Sequence, residues 1–190
     1  MAKHLCIFAS GTGSNAQKII DFFRDNDAIN ISLIVTNKAT AGVLSIAQRE
    51  RIPSHILAKN ELGSEAFITT LKQNDIDLIV LAGFLKLIPL DLIKAFPNRI
   101  VNIHPALLPK YGGKGMYGMN VHVAVKENGE TKSGMTIHYV NEHFDEGEHI
   151  FQASCDIFPD DTPAMIARKV LVLEHGFYGI VIEELLNETL

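Results

Sequence analysis

Residues 5–16 read Leu-Cys-Ile-Phe-Ala-Ser-Gly-Thr-Gly-Ser-Asn-Ala, five apolar residues running into a glycine turn. Beyond the turn, Ala16, Ile19, Ile20 and Phe23 recur at helical spacing. A continuous apolar run suits a strand covered on both faces, and the stripe suits a helix laid against the sheet. Strand, tight turn and helix open a βαβ unit, which needs parallel strands. Apolar runs recur at 31–35 and 78–82. Between them, Val43, Ile46 and Ala47 predict a second helix, and Phe67, Ile68 and Leu71, after the candidate cap Ser64, predict a third.

The rhythm changes near residue 100. Arg99-Ile100-Val101 is strand-like and continues into Asn102-Ile-His-Pro-Ala-Leu-Leu-Pro109. Strand alternation sends Asn102 and His104 to one face with Ile103 opposite, and Pro105 breaks the segment where it leaves the sheet. Further on, Phe151, Ala153, Cys155 and Ile157 alternate with Gln152, Ser154 and Asp156, as a strand with one polar face would. With 134–140 this strand predicts a hairpin whose connection, 141–148, is longer and more acidic than a turn requires. Thr162-Pro163 then opens a long helix with Ile166, Val170, Leu173, Phe177 and Ile180 as its core-facing stripe. The expected fold is α/β: a Rossmann-like, mostly parallel mixed sheet with helices on both faces, closed by a strand hairpin and a long helix.

At 190 residues the chain fits one domain, here 1–190, large enough to bury roughly 70% of its unfolded surface. Cys6 and Cys155 both lie in apolar runs, which predicts reduced thiols and a cytoplasmic setting. The sequence shows no long apolar segment, so no membrane partner is expected. A net charge of -5 and a pI near 5.9 argue against a broad nucleic-acid face, leaving room for a local pocket that takes one anion. His143, Asp145, Glu148 and His149 are dense but lack a recognised ligand spacing, so no metal is expected.

Two segments carry candidate chemistry. The turn Ser10-Gly-Thr-Gly-Ser-Asn15 offers free amides and a helix start that could hold an anion. Gly11, Gly13 and Ala16 satisfy a relaxed dinucleotide fingerprint, but the second strand ends at Thr36-Asn37 without a ribose-binding acid, and the P-loop lysine is missing. A single phosphate and an ordinary strand-to-helix turn therefore both remain open. In the second segment an amide that can donate to an oxyanion stands beside a histidine that titrates near neutral pH. Asp145 is the candidate carboxylate to complete that set. His4, His55, His122, His138 and His175 are scattered and are expected to be ordinary polar partners.

The motifs together resemble the folate-dependent formyltransferases. The likeness runs through Ala-Ser-Gly-Thr-Gly-Ser-Asn at 9–15, Leu-Ala-Gly-Phe-Leu at 81–85 and Val-Asn-Ile-His-Pro-Ala-Leu-Leu-Pro at 101–109. It continues through Gly-Met-Thr-Ile-His at 134–138 and Asp-Glu-Gly at 145–147 to Glu174-His175. The resemblance implies a one-carbon transferase of purine biosynthesis, moving a formyl group from the cosubstrate 10-formyltetrahydrofolate to the amine of 5-phosphoribosylglycinamide, without a metal. It implies catalysis by Asn102, His104 and Asp145, with protonated His104 and Asn102 stabilising the oxyanion. Gly11, Thr12, Gly13, Ser14, Asn15 and Glu174 would hold the ribonucleotide and its phosphate. Leu85, Lys86, Leu87, Ile88, Asn102, Val140, Asn141 and Asp145 would meet the folate, although Leu85 and Leu87 could equally be core. About 1–100 would form a phosphate-binding half and about 101–190 a catalytic and folate-binding half. A homodimer stays open.

Two stretches depart from the family pattern. Tyr-Gly-Gly-Lys-Gly-Met-Tyr-Gly at 111–118 replaces a Pro-Gly and histidine-containing stretch and reads either as a mobile cover over the reacting centre or as structural turns, and Leu171 stands where a polar residue is frequent. A formyltetrahydrofolate hydrolase would share the reactive residues, a methionyl-tRNA formyltransferase would add a nucleic-acid-binding domain, and a non-catalytic sensor of a phosphorylated metabolite would use the glycine turn alone.

Overall fold

The computed structural model describes residues 2–188. Along the chain lie β1 (Lys3–Phe8), α1 (Ser14–Phe23), β2 (Ile29–Thr36), α2 (Val43–Glu50), β3 (Ser54–Ile56), α3 (Glu65–Gln73) and β4 (Leu78–Leu81). There follow α4 (Leu90–Ala95), β5 (Ile100–His104), α5 (Met119–Glu127), β6 (Lys132–Tyr139), β7 (His149–Asp156) and α6 (Pro163–Glu188). One seven-stranded sheet has the order β3-β2-β1-β4-β5-β6-β7. Its first five strands pair in parallel, and β6 and β7 join antiparallel, as the alternating carboxyl half predicts. The winding reverses at β1, which sits between β2 and β4, and such a reversal opens a crevice at the carboxyl ends of the strands.

Alternation along β1 divides the interior into two cores. Leu5 and Ile7 face one side with Ile19, Val43, Ile166 and Val170, while Cys6 and Phe8 face the other with Phe67, Leu71 and Leu92. Helices therefore cover both faces, and the unbroken apolar runs of β1 and β4 follow from that. Ser64 caps α3 by accepting from the Phe67 amide at 3.2 Å. Both cysteines are free thiols; Cys6 is fully buried, and Cys155 is only half-buried.

The expected stripe on α6 needs correction. Ile166 and Val170 are buried, but Leu173 and Phe177 are half-buried and Ile180 is 40% exposed. Burial shifts instead to Tyr178, Val181, Ile182 and Leu185, because α1, α5, β6 and β7 all pack on this helix. A single straight stripe assumes one covering surface. The short elements β3 and α4 carry too few periodic residues to declare themselves in the sequence, and α5 follows a glycine run that reads as loop.

The β6–β7 pairing is tight at Gly134, where a Cβ would lie 2.1 Å from the Ala153 carbonyl oxygen and 2.6 Å from Leu107 Cδ2. Gly134→Ala is expected to cost about 1 to 3 kcal/mol by overpacking, read as a lower urea midpoint at unchanged slope. An unmoved midpoint would show that the hairpin yields freely.

Candidate active site

β5 ends at His104, so Asn102 and His104 project from the same face of its last turn of pleat. In the antiparallel ladder Asn102 stands directly opposite His138 of β6. Directly opposed residues have side chains close enough to interact, and the Asn102 amide nitrogen lies 3.1 Å from His138 Nε2. His138 Nδ1 faces the Tyr139 carbonyl oxygen at 2.8 Å, which only accepts, so Nδ1 carries a hydrogen. In the neutral ring Nε2 therefore accepts from Asn102.

Asp145 arrives from the connection between β6 and β7 in a left-handed conformation, φ 60°. Two residues on, Gly147 lets the backbone press against β6, where a Cβ would fall 1.7 Å from the Tyr139 carbonyl oxygen. Asp145 Oδ1 lies 3.4 Å from Asn102 Nδ2, 3.4 Å from His104 Nδ1 and 3.7 Å from His138 Nε2. Its Oδ2 accepts from the Gly113 amide at 2.9 Å. The three residues singled out in the sequence are thus brought together, and His138 joins them. The sequence alone makes His138 an ordinary polar partner; the register of β5 on β6 places it opposite Asn102.

The electrostatics of this cluster are opposed. Burial raises the Asp145 pKa, but the contact with His138, the charge available on His104 and the Gly113 amide outweigh it, so the carboxyl titrates below its usual range. For His104 burial is the largest influence and lowers the pKa, against the pull of Asp145 and the Tyr111 carbonyl. His104 Nε2 donates to the Tyr111 carbonyl oxygen at 2.7 Å, leaving Nδ1 toward Asp145. At neutral pH the resting pair is therefore an ionised carboxylate and a neutral imidazole.

A cavity of about 950 Å³ reaches Asn102, His104 and Asp145 at one end of β5, Thr12 in the glycine turn, Asn15 of α1 and Glu174 of α6. No described residue accepts from the backbone amides of residues 11–15, so the start of α1 presents free donors. Ser10 fixes this turn: its amide donates to the Gly83 carbonyl oxygen at 3.0 Å, and its hydroxyl accepts from the Leu85 amide at 3.0 Å. Gly13 adopts φ 84° and packs on α2, where a Cβ would meet Ile46 Cδ1 at 2.8 Å. The Asn15 amide nitrogen donates to Glu174 Oε2 at 2.8 Å, and its Oδ1 is buried without a partner. Asn15 thus positions Glu174 in this state.

Burial raises the Glu174 pKa, only partly offset by the Asn15 hydrogen bond. A carboxyl whose folded pKa exceeds its unfolded value costs stability above the unfolded pKa and ceases to do so as pH falls below it. Glu174→Gln is accordingly expected to be more stable than the parent at pH 7, with the gain vanishing below about pH 4.5. Equal melting temperatures at both pH values would mean that the carboxylate is relaxed.

The expected folate residues split. Leu85 opens on the large cavity, whereas Lys86, Leu87, Ile88, Val140 and Asn141 line a cleft of about 60 Å³ that shares Asn102, Phe144 and Asp145 with it. Leu85 and Leu87 are 46% and 43% exposed, which removes the core reading for both, while Ile88 is buried at 2%. Sequence reading missed Phe144 and His122, which also line the cavity. The glycine-rich stretch is anchored at its start, through the Tyr111 carbonyl and the Gly113 amide, and residues 113–118 line the cavity.

An amide, an imidazole and a carboxylate at the crevice of a Rossmann-like sheet define a class, and the chain belongs to the formyl transferase family, whose model matches residues 3–182. Within that family, relatives include proteins named phosphoribosylglycinamide formyltransferase. The chain is 42% identical over 193 residues to the chloroplastic enzyme of Arabidopsis thaliana, covering 98% of this chain and 66% of that protein. It is 33% identical to the Haemophilus influenzae enzyme, covering 95% and 86%. The crystal structure of phosphoribosylglycinamide formyltransferase from Bacillus halodurans superposes with TM-score 0.88 at 32% identity, covering 99% of this chain and 97% of that one. The chain spans just under two thirds of the two chloroplastic relatives, 66% and 62% of their lengths.

Proposed function

We propose that this chain transfers the formyl group of 10-formyltetrahydrofolate to the amine of 5-phosphoribosylglycinamide, a step of purine biosynthesis. The convergence of Asn102, His104 and Asp145 on a cavity that also reaches Asn15 and Glu174 carries this reading. Relatives named phosphoribosylglycinamide formyltransferase support the formyl transfer and its acceptor.

The amine nitrogen attacks the formyl carbon, forming a carbon–nitrogen bond and leaving negative charge on oxygen and positive charge on nitrogen. The Asn102 amide donates to the oxyanion, giving up its shared contacts with His138 and Asp145. Asp145, ionised at neutral pH, takes the ammonium proton directly or through water. His104 Nδ1, 3.4 Å from Asp145, accepts that proton and returns it to the folate nitrogen as the carbon–nitrogen bond to folate breaks. The proton taken from one nitrogen ends on the other. The folate ring lies against exposed Leu85 and Leu87, with Lys86, Ile88, Val140 and Asn141 beside it. The ribonucleotide phosphate meets the free amides of residues 11–15, with Gly11, Thr12, Gly13 and Ser14 shaping the turn.

The single domain is divided in labour. Residues up to about 100 supply the phosphate turn and the later residues most of the chemistry, with Glu174 reaching back to Asn15. The substrates are water-soluble, and among the described residues no helix is long and apolar enough to cross a membrane. We place the reaction in the cytoplasm.

The test follows tetrahydrofolate formation from the formyl donor with and without 5-phosphoribosylglycinamide. Release that depends on the amine supports the transferase; equal release without it identifies a hydrolase, and binding with no release a sensor.

A further inference from the structure

We propose that Lys114 is the cationic contact for the phosphate of the amine substrate, carried over the cavity by the glycine-rich stretch. The inference rests on the transferase reading and adds a residue that binds substrate.

The cavity poses an electrostatic difficulty. Its walls carry the ionised Asp145 carboxylate, the buried Glu174 carboxyl and histidines 104 and 122, and burial favours the neutral form of Glu174 and of both histidines. A phosphate entering such a space meets like charge, and backbone amides alone offset only part of it. Leu171 of α6 also lines the cavity and contributes no donor. Among the described lining residues Lys114 is the one lysine or arginine.

Its placement suits a contact made on binding. Lys114 is exposed, and no hydrogen bond or ion pair holds its ammonium among the described residues, whereas nearby Lys110 is committed to Glu130 at 2.8 Å. It lies between Gly113 and Gly115, with φ 90° and 92°, a left-handed backbone that other residues adopt only with strain. A Cβ at either glycine would meet nothing within 4 Å, so conformation and not crowding explains both glycines. The stretch is anchored immediately before Lys114, through the Gly113 amide on Asp145, so the lysine swings from a point tied to the reacting centre. An anion captured there registers the amine of the same molecule against Asn102 and His104.

The experiment compares 5-phosphoribosylglycinamide with its dephosphorylated nucleoside on the parent, Lys114→Met and Lys114→Arg enzymes. For Lys114→Met, KM for the phosphorylated amine should rise about 10 to 100 fold, as loss of one charge-assisted contact predicts, with kcat and the KM for the formyl donor little changed. KM for the nucleoside should stay at the parent value, and Lys114→Arg should restore most of the loss. Unchanged KM in Lys114→Met, or an equal rise for both amines, overturns the assignment while leaving the transferase intact. A parent enzyme that fails to use either amine overturns the transferase reading and this one with it.

Discussion

Asn102→Ala is expected to lower turnover by about 10² to 10³ fold while leaving the urea midpoint close to that of the parent, as loss of a single oxyanion donor does. Stability should hold because Asn102 is only half-buried and its amide serves no structural carbonyl. The partner it abandons, His138, keeps its Nδ1 hydrogen on the Tyr139 carbonyl oxygen. His104→Ala should be as severe in turnover but less silent in stability. His104 is 4% exposed, and its removal frees the Tyr111 carbonyl that anchors the glycine-rich stretch. Turnover at saturating substrates is the measurement. Folded Asn102→Ala protein working at the parental rate would remove the amide from the chemistry.

Asp145→Asn should lower kcat by about 10² to 10⁴ fold, the range for losing a positioned acid or base, with a much smaller change in the KM for the formyl donor. The substitution also has a signed electrostatic consequence. The Asp145 charge raises the His104 pKa against burial, so its removal moves the His104 midpoint further below 6.5. A histidine titration followed by NMR should show that shift. An upward shift, or none, would mean that the carboxylate does not face the ring. In the parent, stability should fall as pH drops below about 6.5, because the unfolded chain protonates His104 and His122 before the folded one does.

Much of this arrangement is legible in the sequence because period carries it. The apolar runs of β1, β2 and β4 and the stripe of α1 are long enough to fix their type, and the Asn-x-His spacing fixes a shared face on β5. Asp145 is legible only as an acid in an oversized connection. Its left-handed backbone and the close approach at Gly147 are tertiary facts. His138 escaped because nothing in its neighbours announces which residue of another strand it will oppose. His122 escaped because α5 follows a run of glycines that reads as loop. Ile180 was misplaced because a helix touched on several sides has no single stripe.

The hydrogen bond from Asn15 to Glu174 joins residues 159 positions apart. A contact of that span forms late, after the intervening chain has condensed, since closing so large a loop is costly in entropy before other contacts reward it. Strands of the amino-terminal half can pair before α6 packs, but the ribonucleotide's binding place does not yet exist. Recognition therefore begins only when α6 docks. Once it has, a ligand seated between α1 and α6 bridges segments far apart in the chain, and its binding free energy opposes their separation.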